Sequence, residues 1–469
     1  MTILHYTIGF PPVRSGGLIR YSLDLVAGEC EYGEDLVILV PGMIPLRYQN
    51  RNNISIKNEG KWRNARVYKI INPLPIPMAN GIQDVKWYTS ACDQAIYDSF
   101  LRELKPDIIH IHSLMGLHRE FLLAAKMLDI PIVYTTHDYF GLCPKADLMY
   151  RNDICNNSGI NCIECNNEAF SKKRLLLEQS TVYRLYRKNA FFIKLLKSSN
   201  MKKMFSSLRS DPVNNIFISD KKDVDDKRKY VELLDYYKQM FSNISFYHFN
   251  SSIAKQVYEL HLGELTGAIE GICNNSISDN RKIKHFGSII KIGFLGGDYY
   301  YKGLNRLIDA IQYLKDNGYT KLELHIYGNE NRTEHPFCIY HERYSHKELG
   351  KVFDNIHILA APSSCMETFG MVVLEALSYG VPVLITDKVG AKDIINNLKE
   401  TIGFIINDSD EAIVEAITKI YNNPDILNTL NANIVNAKIN LSFINHVKSI
   451  IGIYNEVKMK KEKAYETTS

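Results

Sequence analysis

The feature that most constrains this chain is a repeated alternation of short apolar, β-rich runs with longer helical stretches. Such alternation is typical of parallel sheets joined by crossover helices. In the first half the predicted strands are Ile3–Gly9, Leu36–Val40, Ile108–His112, Ile132–Thr136 and Phe246–Phe249. In the second half they are Ile290–Gly296, Leu322–Tyr327, Ile356–Leu359, Val381–Thr386 and Gly403–Ile406. Two complete series within 469 residues predict two α/β domains.

The break between the two series sets the predicted domain boundaries. We place the first domain at residues 1–275 and the second at 285–440, and we expect a helix in 441–469 to pack back on the first domain before a tail. The predicted helices are Leu18–Val26, one beginning near Ser251 or Ser252, Leu304–Leu314, Met371–Tyr379 and Asp410–Tyr421. The polar stretch Ser210–Lys229 is predicted to be a surface loop or insertion. Because ligands of open α/β sheets bind at the carboxyl ends of the strands, the interdomain cleft is the expected site.

Composition narrows the classes of protein further. No apolar run approaches the roughly 18 residues that cross a bilayer, and the first residues lack the basic start of a signal peptide. Nine cysteines, an odd number, argue against a disulfide scaffold and favour a reducing cytoplasm. The net charge of +4 gives no indication of a nucleic-acid partner.

A glycine-bearing turn after the strand Ile290–Gly296 is the first candidate for phosphate binding. It contains Gly296 and leads to Lys302-Gly303 at the start of a helix. Glycines allow close backbone approach, helix N-termini favour anions, and a lysine adds a point charge suited to a diphosphate. Taken alone, the same residues fit an ordinary turn with a surface lysine.

Two glutamates eight residues apart, Glu367 and Glu375, are the second candidate. The first lies in a loop and the second in the following helix, and backbone N–H groups at Thr368–Gly370 would face a phosphate at the helix start. A loop carboxylate can reach a sugar, while a helical one can accept hydrogen bonds from a ribose diol. In isolation, Glu367 as a helix cap and Glu375 as a solvated or paired side chain would be the simpler interpretation.

The order of these motifs resembles glycosyltransferase family 4, whose members are retaining enzymes with the GT-B fold of two Rossmann-like domains and an interdomain cleft. The resemblance rests on Lys302-Gly303, Pro362-Ser363, the glutamate pair and Ala376–Pro382. It implies that Glu367, Lys302 and His137 are catalytic. It implies a donor-binding set of Gly17, Gly296, Lys302, Arg306, Thr368, Phe369, Gly370 and Glu375, in which Arg306 stands in for an arginine that the family commonly places at Gly297.

The acceptor side of the cleft is assigned in the same way. The loop Pro11-Pro12-Val-Arg14-Ser-Gly16-Gly17 resembles the family's P-x-x-x-G-G loop, which implies that Gly16 and Gly17 border the acceptor. His112 ends a strand and is predicted to face the cleft, whereas His110 is predicted to be structural. His137-Asp138 resembles the family's H-D segment, which implies that His137 lies near the donor sugar.

Two further segments of the first domain carry their own signals. Cys143, Cys155, Cys162 and Cys165 fit a structural zinc site, although four reduced thiols are the alternative. Residues 171–210 contain eleven basic residues and one acid, interleaved with leucines and aromatic residues. Contact with an inner-membrane surface is the favoured interpretation of this stretch, and a solvated helical face is the alternative.

The sequence therefore predicts a cytoplasmic, metal-independent retaining glycosyltransferase, in contact with the membrane periphery. It would move a sugar from a nucleoside-diphosphate sugar to a glycan or lipid-linked acceptor in surface polysaccharide or lipid-linked oligosaccharide synthesis. No cofactor is expected for catalysis. The alternatives are a non-catalytic subunit that binds glycan or nucleotide sugar, and another GT-B-like enzyme such as a sugar-nucleotide epimerase or a phosphorylase.

Overall fold

The computed structural model describes residues 1–44, 53–77, 81–151, 153–155, 159, 161–180, 220–297, 299–328 and 335–466. The strands of the first half are β1 Thr2–Tyr6, β2 Asp35–Pro41, β3 Ser55–Trp62, β4 Ala65–Ile71, β5 Ile108–Ile111, β6 Ile132–Thr135, β7 Met149–Tyr150, β8 Asp153–Ile154, β9 Phe246–Phe249 and β10 Gly267–Ile269. Those of the second half are β11 Ile290–Leu295, β12 Leu322–Tyr327, β13 Cys338–His341, β14 Ile358–Ala361, β15 Val383–Thr386 and β16 Gly403–Ile406.

Eight strands of the first half form one sheet in the order β10-β9-β6-β5-β1-β2-β4-β3. Every neighbouring pair is parallel except β3 and β4, which form an antiparallel hairpin at one edge. The central strands are buried on both faces, which is why they read as continuous apolar runs. The prediction missed β3, β4 and β10, because these edge strands carry polar or partly exposed residues.

Helices cover both faces of this sheet. They are Gly17–Glu31, Val85–Tyr88, Gln94–Leu104, Arg119–Met127, Cys162–Cys165, Lys172–Glu178, Asp220–Phe241 and Ser252–Leu262. The last of these is capped by Ser251, whose side chain accepts from the N–H of Ala254. Helix Asp220–Phe241 corrects the prediction that Ser210–Lys229 is wholly a loop. Its C-terminal half buries Tyr230, Leu233 and Tyr237, and that apolar face begins only where the charged run ends.

The second half forms a six-stranded parallel sheet in the order β13-β12-β11-β14-β15-β16. Its helices are Leu304–Asp316, Leu349–Asp354, Met371–Ser378, Lys392–Asn396, Asp410–Asn422 and Asp425–Asn436. The predicted strands at 356 and 381 each begin two residues later than expected. Pro382, which has no N–H to donate, precedes β15, and its carbonyl accepts from Leu359 of β14.

A long helix, Phe443–Glu466, returns from the second half to the first sheet. Its buried residues Ile450, Tyr454 and Val457 belong to the same apolar cluster as Ile3 of β1 and Ile108 of β5. The hydroxyl of Tyr454 also reaches into a network of buried polar groups in the first domain. Within the described ranges, no helix is both long and apolar enough to cross a bilayer.

Candidate functional site

A cavity of about 300 Å³ lies between the two sheets, at the carboxyl ends of their strands. The predicted site residues on its wall are Gly17, His137, Gly296, Lys302, Glu367, Thr368, Phe369 and Gly370. We call it the interdomain cavity. The two halves meet beside it through hydrogen bonds from Ser251 Oγ to the carbonyl of Thr368 at 2.6 Å and from Thr368 Oγ1 to the carbonyl of His137 at 2.9 Å.

An ion pair between Lys302 and Glu367 dominates the chemistry of the cavity. Lys302 Nζ lies 2.7 Å from Glu367 Oε1, and Ser363 Oγ donates to Glu367 Oε2 at 2.9 Å. The lysine is held by a tight turn in which Gly303 has a φ of 81°. A Cβ on Gly303 would lie 2.2 Å from the carbonyl oxygen of Pro362, so only glycine fits this approach of the two loops.

Both members of this pair are charged. Burial alone would raise the pKa of Glu367, but the charge of Lys302 and hydrogen bonds from Lys302 and Ser363 hold it below the ordinary value. For Lys302, burial alone would lower the pKa, but the charge of Glu367 raises it above the ordinary value. The cavity therefore offers one ammonium and one carboxylate in close contact, ready to be separated by a polar ligand.

The start of helix Met371–Ser378 faces the same cavity. Its N-cap, Gly370, has a φ of 95° and no side chain with which to accept from the N–H groups of the first turn. A Cβ there would lie 2.8 Å from Val389 Cγ1. The helix dipole and first-turn N–H groups of Met371 and Val372 thus lie at the wall of the cavity, an arrangement that favours an anion.

Glu375 lies one turn further along this helix and is not on the cavity wall. Its carboxylate is 6% exposed and lies 3.6 Å from His346 Nδ1. Burial raises the pKa of Glu375 to about 7, and the charge of Arg20 from the first domain opposes that shift. The residue is therefore buried but directed at the gap between the domains, on the same helix as the anion-binding turn.

Three more predicted site residues lie off the cavity wall. Arg306 is not on its wall, because Asp408 and Asp410 engage the guanidinium, the latter at 2.5 Å. This placement argues against the donor-binding role predicted for Arg306 in place of an arginine at Gly297. His112 lies behind His137 and is 1% exposed, so it cannot touch an acceptor directly. Gly16 caps helix Gly17–Glu31 and also lies off the wall.

Asn250 is a cavity residue that the sequence interpretation missed. It follows β9 directly, and its Oδ1 accepts from Thr136 Oγ1 at 3.3 Å. Its buried Nδ2 has no hydrogen-bonding partner among the described residues. Its position immediately after a strand, at the same sheet edge as His137, was the signal available in the sequence.

A chain of buried histidines leads from the cavity into the first domain. His137 Nε2 lies 3.2 Å from His112 Nδ1, and His112 Nε2 lies 3.1 Å from His5 Nδ1. His5 Nε2 in turn lies 2.7 Å from a carboxylate oxygen of Glu29, which is fully buried. Burial, reinforced by neighbouring histidines, lowers the pKa of His137 to about 3 and that of His112 well below its ordinary value. The ring at the cavity is thus neutral.

A second branch starts at the other oxygen of the same carboxylate. Tyr454 OH lies 2.9 Å from that oxygen and 2.6 Å from His110 Nδ1. Thr135 Oγ1 lies between His110 Nε2 at 2.7 Å and His248 Nδ1 at 2.8 Å, and His248 Nε2 donates to the carbonyl of Glu270 at 2.8 Å. Burial lowers the pKa of His110 strongly and that of His248 to about 4.

The number of protons in this network sets its hydrogen-bond directions. The two branches contain eight contacts, three in the first and five in the second. With the carboxylate ionised and every ring neutral, the five histidines, the tyrosine and the threonine supply seven protons. One contact then lacks a hydrogen, and a single additional proton completes all eight. In the completed network each ring of the first branch donates through Nε2, which leaves His137 Nδ1 as an acceptor.

The four cysteines lie near one another in the first domain. Burial raises the pKa of Cys162, and the thiols of Cys143, Cys155 and Cys165 raise it further. No three of their sulfurs are within 4.8 Å of one another in the described part of the chain. A structural zinc at these residues therefore stays a prediction. Most of the basic stretch 171–210 lies outside the described residues, which include its first turns in helix Lys172–Glu178.

Two family descriptions match the chain, one on each side of the interdomain cavity. "Glycosyltransferase Family 4" matches residues 16–158, and "Glycosyl transferases group 1" matches residues 277–438. The chain belongs to glycosyltransferase family 4. The ordered motifs from Lys302 to Pro382 that suggested this family fall within the second of these matched regions.

Solved structures show that this family 4 chain has the GT-B fold. Sucrose-phosphate synthase from Thermosynechococcus elongatus is 12% identical, with a TM-score of 0.51 over 100% of this chain and 98% of that one. The catalytic domain of starch synthase IV from Arabidopsis thaliana, bound to ADP and acarbose, is 12% identical, with a TM-score of 0.52 over 97% of this chain and 99% of that one. At this identity the likeness concerns the fold alone.

A curated relative shares part of the sequence. The capsular polysaccharide biosynthesis glycosyltransferase CapM of Staphylococcus aureus is 29% identical over 153 residues. The match covers 30% of this chain and 39% of the relative, so the chain spans well under half the length of that protein.

Proposed function

We propose that this family 4 protein transfers a sugar from a nucleoside-diphosphate sugar to a hydroxyl group of a glycan or lipid-linked acceptor, with retention of the anomeric configuration. The observation that carries the proposal is the pair of Lys302 and Glu367 in a cavity between two α/β domains, beside the start of helix Met371–Ser378. An ammonium and a helix N-terminus match a diphosphate, and a carboxylate matches sugar hydroxyl groups. The ADP in the starch synthase IV structure and the capsular relative support this class of donor and pathway.

In this proposal the donor separates the ion pair. Lys302 moves its hydrogen bond from Glu367 to the diphosphate, while Glu367 accepts from hydroxyl groups of the sugar. Backbone N–H groups of Phe369 and Gly370 hold the sugar and phosphate, and Glu375 accepts from the ribose. His137, neutral and with Nδ1 as an acceptor, faces the donor sugar from the first domain.

The reaction breaks the bond between the anomeric carbon and the diphosphate oxygen and forms a bond from the same face to the acceptor oxygen. The acceptor proton passes to the departing diphosphate, so atoms and charge balance. Negative charge develops on the leaving group, and Lys302 and the helix N–H groups stabilise it in place of a metal ion. Fixed dipoles and charges of this kind contribute about 3–4 kcal/mol each to lowering a barrier.

The test is release of nucleoside diphosphate from a panel of nucleotide sugars, with membrane and polysaccharide extracts as acceptors. We expect one donor to raise the melting temperature and to be consumed only with acceptor, and Glu367→Gln to slow release by about 100-fold to 1000-fold. Glu415→Gln, an exposed glutamate on a distant helix, is the matched control. The anomeric proton coupling of the product reports retention.

Three results would contradict the proposal. Donor binding without any release, unaffected by Glu367→Gln, would indicate a non-catalytic binding subunit. Conversion of the donor to another nucleotide sugar without acceptor would indicate an epimerase. A product of inverted configuration would leave a transferase but remove retention.

A further inference from the structure

A second cavity, of about 260 Å³, lies on the first domain at the carboxyl ends of β1 and β2. Its wall is formed by the loop 9–14, by residues 40–43 and by side chains of the β3–β4 hairpin. We call it the Arg14 cavity. It shares no wall residue with the interdomain cavity, but the loop that forms it continues within three residues to Gly17, which lines that cavity.

Arg14 is a charged residue on the wall of the Arg14 cavity that lacks a counter-ion among the described residues. Its side chain makes no hydrogen bond and no ion pair with any residue that the structure describes. The side chain of Arg14 is partly buried, and burial lowers the pKa of Arg14 to about 10. A desolvated cation without a counter-ion is costly. A ligand that brought a negative charge would remove that cost.

The other charges on the wall leave a positive excess. Lys69 lies 2.5 Å from Glu59, so these two cancel. Lys61 has no ion pair within the described ranges, and it adds a second positive charge to that of Arg14. Arg63 lies over the Trp62 ring at 5.1 Å and adds a further positive charge near the wall.

Two aromatic rings supply the apolar part of the wall. Phe10 and Trp62 have ring centroids 5.9 Å apart at an angle of 49°. Aromatic faces pack well against the C–H face of a sugar ring, while neighbouring polar groups orient its hydroxyl groups. The cavity thus combines a surface for a pyranose with a cation for an acidic substituent.

We propose that the Arg14 cavity binds the acceptor, and that the acceptor carries an anionic group, a sugar carboxylate or a phosphate, that pairs with Arg14. This inference rests on the proposed function, because it assigns the acceptor of the same transfer reaction. The cavity lies at the same sheet edge as the interdomain cavity, and one continuous loop connects the two. An acidic acceptor held there would have its neutral end free to reach the donor.

The test uses small probes and the full-length protein. Methyl β-glucuronide, methyl β-glucoside and methyl phosphate are titrated by ligand-observed NMR against wild type, Arg14→Gln and Arg66→Gln. Arg66 is the matched control, because it lies on β4 but outside the cavity wall and pairs with Asp35. We expect the anionic probes to bind at least tenfold more tightly than the glucoside. Arg14→Gln should weaken them by about tenfold to 100-fold, and Arg66→Gln should leave them unchanged.

The two anionic probes separate the two sources of charge. Arg14-dependent binding of the glucuronide supports an acidic sugar, and Arg14-dependent binding of methyl phosphate alone supports a phosphorylated or lipid-diphosphate acceptor. If Arg14→Gln fails to fold, Lys61→Gln at an exposed position should still weaken the anionic probes by several-fold. Equal affinity for the glucoside and both anions, or anion binding unaffected by Arg14→Gln and Lys61→Gln, would overturn the inference.

Failure here is distinguishable from failure of the proposed function. Donor affinity, measured separately by thermal shift, should be the same in wild type and Arg14→Gln, because Arg14 is not on the interdomain cavity wall. Donor binding without Arg14-dependent anion binding removes only the acceptor assignment. No binding of any nucleotide sugar removes the proposed function.

Discussion

Replacing Glu29 by glutamine tests the buried network behind His137. Glu29 accepts from His5 and contacts Tyr454, and it is fully buried. Because the pKa values of His110 and His248 are strongly lowered by burial, the proton that completes the network does not reside on those rings. A glutamine at position 29 would supply the eighth hydrogen from its amide: its oxygen accepts from His5, and its nitrogen donates to Tyr454.

The expected cost follows from the contacts. Glu29→Gln keeps all eight contacts filled and leaves only its second amide hydrogen without an acceptor in the network, so it should cost about 1 kcal/mol. Glu29→Leu leaves the buried His5 Nε2 without a partner, at about 1–3 kcal/mol, whereas the Tyr454 hydroxyl keeps its contact with His110 Nδ1. A carboxylate paired with a protonated histidine would behave differently, because losing one member of a buried ion pair costs about 3–5 kcal/mol.

The assay is urea unfolding at pH 7 of wild type, Glu29→Gln and Glu29→Leu. Glu31→Gln, an exposed glutamate at the end of the same helix, controls for the loss of a negative charge. We expect Glu29→Gln and Glu31→Gln to unfold near the wild-type midpoint and Glu29→Leu well below it. Equal destabilisation by glutamine and leucine would refute the proton count and favour an ion pair with an imidazolium.

Three further changes address the second domain. Burial raises the pKa of Glu375 to about 7, so its contribution to stability is fully present below the unfolded pKa of about 4.3 and is lost as pH rises through 7. The free energy of unfolding of Glu375→Gln, measured relative to that of wild type, should therefore rise by on the order of 3 kcal/mol between pH 5 and pH 8. A difference in urea unfolding that does not change with pH would contradict this. Gly303→Ala should lower the free energy of unfolding by at least about 1–2 kcal/mol and reduce donor-dependent turnover, because Gly303 has a φ of 81° and an added Cβ would lie 2.2 Å from the carbonyl oxygen of Pro362. An unchanged thermal midpoint would show that the loop relaxes freely. Arg306→Gln should bind the donor with an affinity within about twofold of wild type by calorimetry, since the partners of Arg306 are acids off the cavity wall. A tenfold loss of affinity would show that Arg306 does contribute to donor binding.

The sequence predicted those parts of the fold and site that depend on local signals. Apolar runs buried on both faces, such as Phe246–Phe249 and Leu322–Tyr327, were located to the residue. Lys302 and Glu367 lie 65 positions apart, and each is marked by its own glycine-bearing turn or helix start, so both could be identified before their contact was known.

The remainder depends on long-range packing. Each histidine of the network looks like an ordinary core residue in the sequence, and its partners are as distant as His110 and Tyr454, 344 positions apart. The placement of Arg306 has a similar cause, because Asp408 and Asp410, more than 100 positions away, decide where the guanidinium points. Helix Asp220–Phe241 begins in a charged run whose apolar spacing appears only near its end.

Calorimetric titration shows whether the interdomain cavity binds a nucleoside diphosphate against Lys302. UDP, ADP and GDP are titrated into wild type and Lys302→Met, with Lys315→Met, on helix Leu304–Asp316 and off the cavity wall, as the matched control. We expect at least one of them to bind wild type and the Lys315 variant equally. Its affinity should fall by about tenfold to 100-fold in Lys302→Met, as the loss of a charge-assisted contact requires. Binding that is the same in all three proteins, or absent from wild type for all three nucleotides, would rule out a nucleoside-diphosphate site at Lys302.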